Sequence, residues 1–145
     1  MSQWLFPVVQ LPEFTRENTS YDTEYRRSVR WDPAAGDFVR DGANRMVECD
    51  GREAFAIWCY KTAQTERYRC LAYPGSIGVE MERAMEDDDE KTVESMVERT
   101  ITEALMVNPR TEDVLDFEFS WDGDRMRGTF TVKGVDWDEE IKITI

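Results

Sequence analysis

Val93-Glu-Ser-Met-Val-Glu-Arg-Thr-Ile-Thr-Glu-Ala-Leu-Met-Val-Asn-Pro-Arg110 is followed by Leu115-Asp-Phe-Glu-Phe-Ser-Trp-Asp-Gly123 and Met126-Arg-Gly-Thr-Phe-Thr-Val132. In the first stretch Val93, Met96, Val97, Ile101, Ala104 and Leu105 recur at three- and four-residue spacing, the clearest helical period in the chain. Asn108-Pro109 ends it, because the residue before a proline avoids the helical region. Period two then takes over. Leu115, Phe117, Phe119 and Trp121 alternate with Asp116, Glu118 and Ser120, which gives one buried and one wet face. Asp122-Gly123 signals a hairpin turn, and Met126, Gly128, Phe130 and Val132 share one parity on the return strand. One helix followed by one hairpin sets the class: α+β, a small antiparallel sheet packed against two to three helices.

On the C-terminal side, Ile141-Lys-Ile-Thr-Ile145 alternates again and is expected to form an edge strand with an unpaired row of backbone groups. On the N-terminal side, residues 86–90 are all acidic and lie at the start of the helix, where they complement its dipole. Pro74-Gly75 breaks the chain, and Ser76 to Met85 reads as a short helix. Ala54-Phe-Ala-Ile-Trp-Cys-Tyr60 is apolar nearly all round, so a helix from Gly51 to about Gln64 is expected to be buried, with Arg52, Lys61 and Gln64 towards water. Asp50 and Glu53 stand at capping-box spacing. Glu24 to Trp31 has β character, with Tyr25, Val29 and Trp31 on one parity. The turn cluster Asp32-Pro-Ala-Ala-Gly-Asp37 lets Phe38-Val39-Arg40 pair back, and Met46 to Cys49 forms a third extended piece. Residues 1–22 hold Pro7 and Pro12 among Trp4, Leu5, Phe6, Val8, Val9, Leu11 and Phe14. They read as an extended N-terminal arm that packs on its own domain or on a neighbour, ahead of a single domain over 23–145.

Composition excludes more than it assigns. The 145 residues contain no histidine, which removes the commonest general base, the commonest transition-metal ligand and every Ser-His or Cys-His nucleophile. Cys49, Cys59 and Cys70 are odd in number and lack metal-site spacing, so neither a disulfide framework nor a metal is expected, and no cofactor motif is present. The net charge of −13 argues against nucleic acid. Residues 1–52 hold nine acids and seven bases, a net of −2, which leaves −11 for the rest; the charge serves either docking on a basic partner or solubility. No apolar run approaches the roughly 20 residues of a membrane span, and Met1-Ser-Gln-Trp-Leu-Phe-Pro7 lacks the features of a secretory signal. The expectation is a soluble protein made in a reducing cytoplasm.

With 31 acids, a glycan hydrolase using Glu66, Glu80 or Glu82 is the enzyme alternative. Such an enzyme needs one carboxyl in an apolar pocket and a second across the scissile bond, and no pair stands out. The run 86–90 lacks the alternation and glycine of a calcium loop. What remains is binding surface. Arg67, Tyr68 and Arg69 set two guanidiniums and an aromatic in one extended segment, suited to a partner contact or to ion pairs with Glu66 or the acidic helix. Arg110, after Pro109, either satisfies the last helix carbonyls or reaches a neighbouring chain.

Thr65-Glu-Arg-Tyr-Arg-Cys-Leu-Ala-Tyr73, the helix ending Glu103-Ala-Leu-Met-Val-Asn-Pro-Arg110 and the hairpin after it resemble the XkdS-type proteins of contractile-tailed phages and phage-tail-like particles. That group looks related to the short lysozyme-like baseplate wedge protein of large contractile phages, the sheath initiators. The likeness covers about residues 24 to 133, including the Trp31-Asp32 turn with Phe38-Val39. It implies a non-enzymatic virion component of the tail baseplate, whose partners are other wedge proteins, the tail sheath protein, and the tail tube or hub. In wedge relatives a Glu-Pro-Arg motif at the helix exit binds other wedge subunits; here Asn108, Pro109 and Arg110 stand in that place, with asparagine for the glutamate. Relatives also mesh β-strands with the first sheath ring, and the strand carrying Ile141, Ile143 and Ile145 is the expected donor.

Overall fold

Phe130, Val132, Val97, Ile101, Leu105 and Cys59 are almost wholly enclosed, and they come from the three segments whose apolar spacing is most regular. The computed structural model describes residues 27–135 and 141–145; the expected arm over 1–22, and Tyr25 with it, lies outside them. Four two-residue strands come first, β1 (Ser28–Val29), β2 (Trp31–Asp32), β3 (Asp37–Phe38) and β4 (Glu48–Cys49). They are followed by α1 (Gly51–Gln64), α2 (Met81–Ala84) and α3 (Glu90–Met106), then β5 (Thr111–Asp122), β6 (Arg125–Gly134) and β7 (Ile141–Thr144). The result is α+β. An antiparallel sheet ordered β5-β6-β7 packs against α3 and α1, and two small antiparallel pairs, β1-β4 and the hairpin β2-β3, stand apart from it, β1 touching α1.

The extended pieces before α1 do not form one sheet. The Arg30 amide donates to the Val47 carbonyl (2.8 Å), the Val47 amide to the Val39 carbonyl (3.0 Å) and the Val39 amide to the Arg30 carbonyl (3.0 Å). This closed ring of three backbone bonds splits the pairing of the 28–32 segment between two partners. The unit is tied to α1 by a fork in which Arg30 Nε and Nη2 donate to the two Glu53 carboxylate oxygens (2.6 and 3.0 Å). That fork corrects one expectation. Glu53 is taken by Arg30, the Asp50 side chain makes no cap hydrogen bond, and the capping box does not form although α1 keeps its expected span.

Helix α3 follows its sequence period closely: Val93, Val97, Ile101, Ala104 and Leu105 are buried, and Met96 packs at the margin. At its start Asp89 accepts hydrogen bonds from the Thr92 amide (3.0 Å) and hydroxyl (2.7 Å), the N-cap role suited to an aspartate. Asp89→Ala is expected to lower stability by about 1 kcal/mol, read as a shift in the urea midpoint with the slope unchanged. The short helix expected over Ser76 to Met85 is only Met81–Ala84. Residues before it are diverted because Val79 bridges to Glu66 in parallel, its amide donating to the Thr65 carbonyl and its carbonyl accepting from the Arg67 amide (both 2.8 Å).

In the sheet, β5 carries two register shifts. One lies between Leu115 and Glu118, where Asp116 adopts φ +55. The extra residue switches parity: Val114 faces Val132 in the core, Leu115 pairs with Thr131 on the other face, and Phe117, Phe119 and Trp121 then return to the core side. The expectation that Leu115 shares a face with Phe117 is corrected accordingly. The hairpin loop is Gly123-Asp124, closed by Asp122 opposite Arg125, with Gly123 at φ +62. Trp121 Nε1 donates to Glu94 (2.8 Å) and fastens the strand to α3.

Cys49 and Cys59 are buried and Cys70 is exposed. Burial pushes both buried thiols up from their ordinary value, and the Glu53 carboxylate adds to the effect at Cys49. The raised direction favours the neutral thiol in the native state. The associated stability is therefore present below the ordinary thiol pKa of about 8.5 and is lost as pH rises above it. Iodoacetamide at pH 8 should label Cys70 alone in native protein and all three after denaturation, counted by intact mass. Prompt labelling of Cys59 would contradict the packing of α1.

Candidate functional site

The three-stranded sheet has two edges, and they differ. Edge strand β5 is interrupted by both register shifts and carries Glu112, Asp113, Asp116 and Glu118, features that blunt an edge. Edge strand β7 has no bulge. Gly128 and Ile145 exchange both backbone hydrogen bonds (2.9 and 3.2 Å), so in antiparallel alternation the pairs Phe130–Ile143 and Val132–Ile141 also point their amides inward. The amides and carbonyls of Lys142 and Thr144 therefore point away from β6. Ile141 and Ile143 are buried against the core and Ile145 packs at its border, so what β7 presents outward is backbone.

Along that edge runs a groove of about 540 Å³, walled by Ile141 to Thr144 on one side and by Trp31, Pro33, Ala34, Ala56, Ile57 and Tyr60 on the other. Its far wall is rigid for identifiable reasons. Trp31 meets Phe38 edge to face (5.0 Å), and the Lys61 ammonium sits over both rings (4.9 and 4.4 Å) instead of pointing to water as expected. The Arg30–Glu53 fork holds the turn over α1. Nothing in the sequence spacing links residues 31–34 to 141–144; only the fold brings them together.

A second surface surrounds the exit of α3. Asn108 is buried; its Oδ1 accepts from the Arg110 amide (3.0 Å), its amide donates to the Leu105 carbonyl (3.2 Å) and its carbonyl accepts from the Thr111 amide (3.0 Å). The asparagine thus shapes the turn into β5, and the Arg110 carbonyl accepts from the Val135 amide (2.9 Å). Pro109 and Arg110 border a cleft of about 510 Å³ with Arg27, Phe55, Trp58 and Ile77, and half-exposed Val107 lines it as well.

The Thr65–Tyr73 segment divides its expected contact residues. The Arg67 side chain is only 13% exposed; its Nε donates to the Gly78 carbonyl (3.1 Å) and its Nη1 pairs with Glu80 (3.5 Å). Gly78, at φ +97, is required there, because a Cβ would lie 2.5 Å from the Thr65 carbonyl oxygen. Tyr68 and Arg69 turn outward instead, Arg69 pairing with Glu82 at the surface (3.3 Å). Tyr68 holds φ +67, a left-handed conformation that costs a bulky residue about 1–2 kcal/mol.

The candidate hydrolytic carboxylates are all engaged. Glu66 accepts from the Met81 and Glu82 amides (3.1 and 3.4 Å), Glu80 holds Arg67 and Arg83 (3.5 and 3.3 Å), and Glu82 holds Arg69. None sits in the apolar pocket that an acid catalyst requires. Among the described residues no cluster of three or more cysteines and carboxylates is placed to hold a metal ion, and no helix is long and apolar enough to cross a membrane.

The family model for the contractile injection system sheath initiator matches residues 27–136. The phage-like element PBSX protein XkdS of Bacillus subtilis (strain 168) is 33% identical over 85 residues, which are 57% of this chain and 60% of that protein. The chain thus matches less than two thirds of that relative's length.

Proposed function

The chain belongs to the contractile injection system sheath initiator family, and from that premise we propose that it starts the sheath of a phage or phage-like contractile tail by accepting a sheath strand along β7. The outer edge of β7, with which no other described strand pairs, and the groove beside it carry this reading. The edge is free of bulges, its outward amides and carbonyls at Lys142 and Thr144 offer a ladder, and the groove beside it supplies apolar contacts for alternate side chains of an added strand. The resemblance implied that this strand is donated; because Ile141, Ile143 and Ile145 fix β7 to its own core beside β6, β7 instead takes the role of an edge held ready to receive a strand.

The cleft at Asn108, Pro109 and Arg110 is the proposed contact with the other baseplate wedge proteins. Half-exposed Val107 lines it together with Phe55, Trp58, Ile77 and Pro109, which makes an apolar patch bordered by Arg27 and Arg110. The protein would then sit in the baseplate between wedge and first sheath ring and act without catalysis. Baseplates assembled without this chain, mixed with purified sheath protein, test the reading. Sheath polymerisation should start only when the chain is restored; polymerisation at normal rate and length without it would refute the proposal.

A further inference from the structure

Between the two anchors of the 65–78 segment, the chain turns its apolar side chains out. Leu71 is 102% exposed, Tyr68 70% and Tyr73 54%, all within six residues of one loop. Leu71 is fully exposed and both tyrosines are more than half exposed, and three large apolar side chains grouped on one tip mark a contact surface. The loop is also built firmly at its base. Arg67 is locked to Val79, Gly78 and Glu80, the Tyr73 amide donates to the Cys70 carbonyl (3.2 Å), and the Ile77 amide donates to the Pro74 carbonyl (3.0 Å). The left-handed backbone of Tyr68 is held in place by this frame, with the ring against Gly75, where a Cβ would lie 3.0 Å from Cε1. Strain kept at an exposed aromatic is a feature of contact sites.

Charge says what kind of surface fits. Residues 67–79 contain Arg67 and Arg69 and no acid, in a chain with 31 acids. Arg67 is spent inside, but Arg69 is exposed and its pair with Glu82 is a surface pair that exchanges readily. We infer that the Tyr68–Tyr73 loop is a further docking surface, which inserts Leu71 into an apolar pocket rimmed by carboxylates on a different protein of the tail particle. A second copy of this chain is the poorer occupant, since two bodies of −13 repel. The inference rests on the proposed role in a tail particle, but it uses neither β7 nor the Pro109 cleft.

The test places a benzophenone photo-crosslinking residue at Leu71, and separately at Thr144, in the full chain within assembled particles. The Leu71 probe should join one other particle protein, at a peptide whose apolar residues are flanked by Asp or Glu. Leu71→Asp and Arg69→Glu should each reduce retention of the chain in particles by about tenfold or more, with thermal midpoints unchanged because both side chains are exposed. Crosslinking to a second copy of this chain, or no Leu71 crosslink in particles that contain the protein, would overturn the inference. So would full retention of both variants. The Thr144 probe reads the β7 proposal separately, and its failure alone leaves the Leu71 result to stand or fall by itself.

Discussion

Phe130→Ala is expected to destabilise the fold by about 3–5 kcal/mol, a large share of the roughly 5–15 kcal/mol that holds a domain together. The ring is wholly buried, stacks on Phe117 at 5.4 Å, and sits on the central strand of the sheet, opposite Ile143. Truncation removes contacts to β5 and β7 together and opens a void in the cluster that the sheet shares with α1 and α3. The bulge at Asp116 already sets how Val114 and Phe117 approach the core, so collapse from that side would disturb the register. Equilibrium urea unfolding measures the effect directly. A loss under about 1 kcal/mol would mean that β6 is not the centre of the core. Leu71→Ala, at a fully exposed position, is the internal control and should change stability by no more than about 0.5 kcal/mol.

Lys142→Pro, alone or with Thr144→Pro, should leave the fold intact and abolish sheath docking. Both amides point away from β6, so proline removes no hydrogen bond from the β6–β7 ladder and is tolerated as on other edge strands. An added strand, in contrast, would lose donors at the centre of its ladder and meet the proline ring. With each hydrogen bond worth about 0.5–1.5 kcal/mol net and the steric block added, binding should fall at least about tenfold for one proline and below detection for two. Sedimentation of the variant with sheath protein gives the readout, and circular dichroism with the thermal midpoint gives the control. Ile143→Pro should do the reverse, unfolding the edge because its amide belongs to the internal ladder. Equal effects from the Lys142 and Ile143 substitutions would contradict the assigned alternation.

Much of this architecture was legible in the residues, for reasons that are local. Helix α3 announces itself because its apolar period, the acidic run 86–90 at its start and its Asn108-Pro109 stop all agree; that Asp89 is the capping residue came from the structure. Helix α1 was placed by its length and by the Asp50–Glu53 spacing, since the apolar run alone suits a strand as well, and the β5–β6 hairpin by alternation around Asp122-Gly123. What could not be read depends on partners far along the chain. The failed capping box needed knowledge that Arg30, 23 positions away, takes Glu53. The short extent of α2 depends on the bridge between Glu66 and Val79. The bulge at Asp116 is invisible because Leu115, Phe117 and Phe119 alternate without a break; packing of Val114 and Phe117 on the same side decides it.

The candidate site shows the same division. The strand carrying Ile141, Ile143 and Ile145 was legible as an edge, and Asn108, Pro109 and Arg110 as a helix exit. The groove was not, since its far wall is supplied by Trp31 to Ala34 and α1. Nor did the sequence separate Arg67 from Arg69, one inside and one out, a distinction set by Gly78 and Glu80. Leu71 carried no signal at all, because an exposed leucine in a loop reads like any other until its surroundings are known.

The most direct measurement is a reconstruction of the parent tail at a resolution that separates β-strands. A fourth strand from a sheath subunit is expected beside β7, in the groove between Lys142–Thr144 and the Trp31–Ala34 turn, bonded to the two outward amides. A β7 edge that faces solvent in the assembled tail, with the first sheath ring held elsewhere on the chain, would contradict it.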